Sequence, residues 1–240
     1  MTRAAWWASP LKFRFFKLLA SLVVLICAPL RAEDSGIFLG GGFQYAPFTP
    51  QYTFPLKKEH LYGGNVEMGW MSFLCQKKAK DKPYCAKSSP FGMRFYALFS
   101  RQFGNHNTLQ NYFAGGAFDL LFNFLDNTTW TFGGFLGGAG GGSVWKLPHY
   151  SYANFQFMIN VGLRFTYAYT RTLNGGYKWN KHIKWQKIIN GLEVGVRIPT
   201  IRSYETYRDL VVFVNYTWGT CWGTLRNCHQ KDTALLKISK

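Results

Sequence analysis

The chain has 240 residues and a formal net charge of +17, with 48% hydrophobic, 19% aromatic and only 16% charged side chains. Hydrophobicity this high with charge this low excludes an intrinsically disordered chain. Beyond the first thirty-two residues no apolar run reaches the ~18 residues of a spanning helix, so a transmembrane helix is excluded there.

Arg3, Lys12, Arg14 and Lys17 lead into an apolar run from Leu18 to Leu30, and no acid precedes Glu33. The run is shorter than the ~20 residues a spanning helix needs and matches the core of a secretory signal peptide. Cleavage is expected after Ala32, where the chain turns to Glu33-Asp34-Ser35-Gly36. Residues 1–32 are therefore read as a signal peptide, 33–218 as the exported body and 219–240 as a C-terminal extension. An uncleaved anchor is the rival reading. Lipidation of Cys27 is disfavoured because Ile26 stands where that processing needs a small side chain. Cleavage takes away five basic residues (Arg3, Lys12, Arg14, Lys17, Arg31) and no acid, lowering the formal charge from +17 to +12.

Apart from Cys27 the cysteines are Cys75, Cys85, Cys221 and Cys228. An even number in an exported chain suggests disulfides. Three pairings are possible, and Cys75–Cys85 with Cys221–Cys228 is favoured because each closes a short loop. A zinc site is the alternative, but only His229 supports it and the spacing fits no familiar ligand pattern.

From Gly36 onward, apolar residues alternate with polar or small ones, the two-residue period of a strand. Gly36 to Tyr45 presents Ile37, Leu39, Phe43 and Tyr45 on one face. Tyr62 to Phe73 presents Tyr62, Val66, Met68 and Trp70, and Phe91 to Ser100 presents Phe91, Met93, Phe95, Ala97 and Phe99. Tyr112 to Phe124 and Thr129 to Gly137 follow, the second with Trp130, Phe132 and Leu136. Asn154 to Tyr169 is the clearest: every second residue from Phe155 to Tyr169 is large and apolar. Ile188 to Ile198 and Leu210 to Trp218 complete eight segments. A strand as long as the sixth exceeds soluble norms and suffices to cross a bilayer at a barrel's tilt. The fold expected is all-β, an antiparallel transmembrane β-barrel of about eight strands, an even count as bacterial barrels have. A soluble sandwich is the rival.

The opposite faces carry Glu67, Arg94, Asp119, Arg164, Glu193 and Arg197, with Asn65, Asn123 and Asn215. These side chains are costly in lipid and must point inward. Three acids and three arginines balance, and an interior that narrow holds only its own side chains. The charges therefore read as packing, with a narrow ion path as the alternative. Trp70, Trp130, Tyr169, Tyr216 and Trp218 fall near strand ends, where aromatic belts form.

Among the connections, Asp126-Asn127-Thr128 reads as a tight periplasmic turn, while 46–61 and 138–153 read as longer, outward-facing loops. The glycine run Gly137 to Gly142 reads as flexible, and it lacks the Lys-Ser/Thr of a phosphate-binding loop. Residues 74–90 and 170–187 are long for periplasmic turns, which suggests a missed strand. The second is basic and aromatic and suits anionic headgroups or plain solvation. Its composition also suits nucleic acid, which export rules out as a partner. All five histidines (His60, His106, His149, His182, His229) fall in connections or the tail. His149 near Ser151 and His106 near Ser100 are the nearest approach to a catalytic set, so no enzyme, cofactor or metal is expected.

Ala32-Glu-Asp-Ser-Gly-Ile-Phe-Leu-Gly-Gly-Gly-Phe-Gln-Tyr45 resembles the mature start of Helicobacter outer-membrane proteins. Gly191-Leu-Glu-Val-Gly-Val-Arg-Ile-Pro199 and Leu210-Val-Val-Phe-Val-Asn-Tyr216 resemble that family's C-terminal strands. The resemblance implies an outer-membrane location, contact with outer-membrane lipid and lipopolysaccharide, and handling by the barrel-assembly machinery. It is to a short, Hop-related member, because the large domain of the long adhesins is absent. Family members usually end on an aromatic residue, whereas here Gly219 to Lys240 follow the last strand. The expected role is structural or surface-exposed, with host-surface molecules as candidate partners for 46–61, 138–153 and 199–208. A small porin-like channel is the alternative and a membrane-lipid-modifying enzyme the third reading.

Overall fold

The computed structural model describes residues 35–50, 59–78, 85–104, 109–127, 129–172, 185–200, 206–208 and 210–222. The expected signal peptide, His106, His182, His229 and Cys228 lie outside these residues, as do connections 51–58, 79–84 and 173–184. The strands are β1 Gly36–Pro50, β2 Glu59–Lys78, β3 Cys85–Phe103, β4 Gln110–Asp126 and β5 Trp130–Lys146, then β6 Ser151–Thr172, β7 Trp185–Pro199, β8 Thr206–Arg208 and β9 Val211–Trp222.

Each of β1 to β7 pairs antiparallel with its sequence neighbour, β7 pairs with β9, and β9 returns to β1 with Thr220 opposite Ile37. The eight long strands thus close into a barrel, and β8 pairs only with the far end of β1, at Phe48 to Pro50. Closure satisfies every ladder without an edge, which hydrocarbon demands of a spanning sheet. The all-β antiparallel barrel expected from alternation is the fold observed, and all eight expected segments are strands.

The two faces separate by chemistry. Outward side chains such as Phe155, Leu163, Met68 and Phe99 are exposed, while their polar sequence neighbours are buried. This inside-out arrangement suits a lipid solvent and would be unstable in water.

The strands differ from expectation in length, and the connections shrink accordingly. The glycine run is not a flexible loop: β5 continues through Gly137 to Gly142 and on to Lys146, and the connection is reduced to 147–150. Both flanks of the run are paired, to β4 and to β6, so ladder bonds outweigh glycine's loss of backbone freedom. Close approach explains the composition at Gly137, where a Cβ would stand 2.0 Å from the Phe118 carbonyl oxygen. Likewise both ends of 46–61 are strand, since β1 runs to Pro50 and β2 begins at Glu59. Strands β2 and β3 extend into 74–90, and β6 and β7 into the two ends of 170–187, and among the described residues the barrel closes without a further long strand. Within 199–208, Thr206–Arg208 is strand. Strand β9 runs past the expected boundary at Trp218 to Trp222.

Candidate functional site

All six of the inward charges fall inside the barrel, at exposures of 3% or less. They are carried by β2 (Glu67), β3 (Arg94), β4 (Asp119), β6 (Arg164) and β7 (Glu193, Arg197). Arg94 is the hub. Its Nε donates to Asp119 Oδ2 at 2.8 Å, directly across the β3–β4 register, and its Nη1 donates to Glu193 Oε1 at 2.7 Å on the far wall. Arg197 Nη2 lies 3.6 Å from Glu67 Oε2, and Arg197 Nη1 donates to Gln44 Oε1 at 3.3 Å. Arg164 stands opposite Glu193 in the β6–β7 register.

Neutral groups complete the network. The Tyr96 hydroxyl donates to Asp119 Oδ2 at 2.9 Å, and Asn160 Nδ2 donates to both Tyr96 Oη and Asp119 Oδ1 at 3.1 and 3.2 Å. The Arg94 guanidinium stands within 5.6 Å of the Phe38, Tyr96 and Phe135 ring centroids, and that of Arg197 lies 4.1 Å from Phe213. Such partners offset the cost of taking the ions from water. Beside Glu193 and Arg164 a void of about 10 Å³ is the size of one water molecule.

A second packed layer lies toward the ends of β5 and β6 joined by 147–150. There Trp145, Leu61, Leu109, Ala46 and Val211 form an apolar cluster, each 1% exposed or less, with Leu147 and Tyr152 against it. Leu109 enters from the β3–β4 connection, closed by Gly104 N–H donating to the Leu109 carbonyl at 2.7 Å. Trp145, Tyr96 and Asn160 were not expected as site residues. The alternation of Gly141, Ser143 and Trp145 with Gly142, Val144 and Lys146 is the signal that could have placed Trp145.

The aromatic residues expected to form belts, Trp70, Trp130, Tyr169, Tyr216 and Trp218, all lie on the outer surface, 37–55% exposed. Trp130 faces Tyr167 and Trp218 faces Asn190 in register, and the Tyr216 hydroxyl lies 2.6 Å from Asn190 Oδ1. Trp70 stands opposite Ile37 on β1, two residues along from Leu39, which faces Trp218. Of the cysteines, the backbone of Cys75 pairs with Ser88, that of Cys85 with Lys78 and that of Cys221 with Lys187. Their side chains, like all of Cys228, lie outside the described residues.

At the other candidate positions, His149 and Ser151 are both exposed, in the 147–150 turn and at the first residue of β6. His60 hydrogen-bonds Tyr45 Oη through Nδ1 at 2.6 Å and stacks on its ring at 5.7 Å between centroids.

A comparison with curated proteins gives no match. Among solved structures, Neisserial surface protein A is similar at 11% identity and a TM-score of 0.41, over 78% of this chain and 97% of that one. Ail, the attachment invasion locus protein of Yersinia pestis, is similar at 10% identity and 0.35, over 80% and 99%. Ail in complex with the heparin analogue sucrose octasulfate gives 11% and 0.28, over 79% and 99%. Likeness at this level carries nothing about ligands. Residues 66–219 match the family described as Helicobacter outer membrane protein, and this span includes both C-terminal motifs noted in the sequence. The chain belongs to the Helicobacter outer membrane protein family and is a β-barrel of the bacterial outer membrane.

Proposed function

We propose that this chain is a sealed, non-conducting outer-membrane barrel whose role is carried by the end bearing the β1–β2, β3–β4 and β5–β6 connections. The observation that carries the reading is the cross-barrel pairing of Arg94 with both Asp119 and Glu193, in a lumen where three buried acids meet three buried arginines. The Trp145 cluster supports it as a second closure. A conduit would need mobile water along its axis, and these groups leave no such column at their level.

An even strand number puts Gly36 and Trp222 at the end that carries the 127–129 turn. In barrels of this class that end is periplasmic, so the odd-numbered hairpins face outward. Exposed His60, stacked on half-buried Tyr45, and exposed Tyr150, stacked on half-buried Tyr152, then stand at the outer rim, with His60 and Tyr150 as contact groups for host-surface molecules. Recording from the purified barrel in planar lipid bilayers tests the sealed interior: the expected trace is flat. Steady single-channel conductance overturns the reading in favour of a small porin.

A further inference from the structure

An apolar groove of about 520 Å³ crosses the outer surface of β2, β3, β4 and β5, within the ~300–1,000 Å³ usual for ligand sites. Val66, Phe99, Ala114, Gly142 and Val144 line it, and the register sets them side by side: Val66 opposite Phe99, Phe99 opposite Ala114, Ala114 opposite Gly142. The hollow is open, since a Cβ built on Gly142 meets nothing within 4 Å.

At one end the groove meets two cations. The outward face of β3 is apolar from Phe91 to Phe99 and turns basic at Arg101, and that of β5 is apolar at Val144 and turns basic at Lys146. Both cations are exposed and flank one ring: Arg101 Cζ lies 5.1 Å and Lys146 Nζ 5.5 Å from the Tyr112 centroid. The Tyr112 hydroxyl donates to Gln110 Oε1 at 2.7 Å, which fixes the ring between them. Among the described residues no carboxylate pairs with either cation.

We propose that this groove, with Arg101 and Lys146 above it, binds a single phosphorylated glycolipid of the outer leaflet. An acyl chain lies along Val66, Phe99, Ala114 and Gly142, and a phosphate sits between the guanidinium and the ammonium. Charge complementarity carries the assignment: the occupant must be apolar within the band and anionic at its upper edge. The closed sheet offers no unpaired backbone edge along the groove, so a peptide has nothing there to pair with. The outer-leaflet source rests on the outward orientation of the odd-numbered hairpins proposed above.

The test uses the full barrel, refolded in detergent, with native mass spectrometry reading bound lipid. The probes are bisphosphorylated lipid A, the same lipid dephosphorylated, and inorganic phosphate. Wild type is expected to hold one phosphorylated lipid, and phosphate alone should not displace it. Arg101→Gln with Lys146→Gln should weaken that complex about tenfold and leave the dephosphorylated lipid unchanged. Gly142→Leu, whose side chain enters open space and should not disturb the fold, should weaken both lipids alike. Equal affinity for the two lipids, or unchanged binding in both variants, overturns the proposal. A separate arm labels Arg101→Cys on intact cells with a membrane-impermeant maleimide. Labelling supports the outer-leaflet source. Absence of labelling, with lipid binding intact in detergent, overturns that source and the outward orientation but not the sealed interior.

Discussion

Arg94 joins two carboxylates from opposite walls, so its loss has a larger expected effect than loss of a typical surface ion pair. Arg94→Leu leaves Asp119 and Glu193 without their shared cation, and removing one partner of a buried pair costs about 3–5 kcal/mol. Urea unfolding of the refolded barrel should show this, and adding Asp119→Asn and Glu193→Gln should recover most of it. An unchanged midpoint in the single variant would mean that the network contributes nothing to stability. The six charged residues were legible in the sequence because each occupies the polar phase of an alternating segment, where lipid on the other face leaves only the lumen. Their partners were not. Whether Arg94 reaches Glu193 depends on the stagger of strands four places apart in the sheet, which no local pattern encodes. Tyr96 was hidden for a related reason: an aromatic residue on the polar phase of β3 says nothing of the Asp119 it will meet.

The glycines of β5 divide by the face they occupy. Gly137→Ala drives a Cβ to 2.0 Å from Phe118 O and should abolish or severely slow folding, whereas Gly142→Ala points into open space and should change stability by less than about 1 kcal/mol. The fraction showing heat-modifiable migration after refolding reads both; equal yields would refute the close-approach account. Strand existence and facing were readable because alternation is local and strong, as from Phe155 to Tyr169. Strand ends were not, because a run such as Gly137 to Gly142 carries no alternation in side-chain size, and only pairing on both flanks makes it strand. Of the two expected disulfides, Cys75–Cys85 does not fit the ladder: Cys75 stands opposite Ser88 and Cys85 opposite Lys78, about 10 Å apart along the strands. For the remaining cysteines we propose Cys221–Cys228; peptide mapping without reductant should recover that link and no Cys75–Cys85 link, and free thiols at Cys221 and Cys228 would refute it.

For the molecule as a whole, closure through β1 and β9 predicts that an unboiled sample migrates faster on a gel than a boiled one. Identical migration would contradict a closed barrel. The lipid-facing assignment predicts that single-tryptophan variants retaining Trp130 or Trp218 are quenched by brominated lipids. A variant retaining Trp145, buried in the lumen, should be protected. Similar quenching of all three would mean that inner and outer faces are not separated as described.

Seven of the eight closing pairs join segments that follow one another along the chain, with β8 the sole interruption between β7 and β9, so each can nucleate as a hairpin as soon as its second strand exists. The eighth, Thr220 against Ile37, joins the two extremes and cannot begin until the rest is in place. Folding is therefore expected to have one non-local step, set by the entropy of bringing distant ends together, as its last. Until β9 docks, β1 and β7 are both open edges, able to capture strands of other copies. A chain truncated before Val211 should consequently accumulate as cross-paired aggregates, even though every hairpin it retains is native.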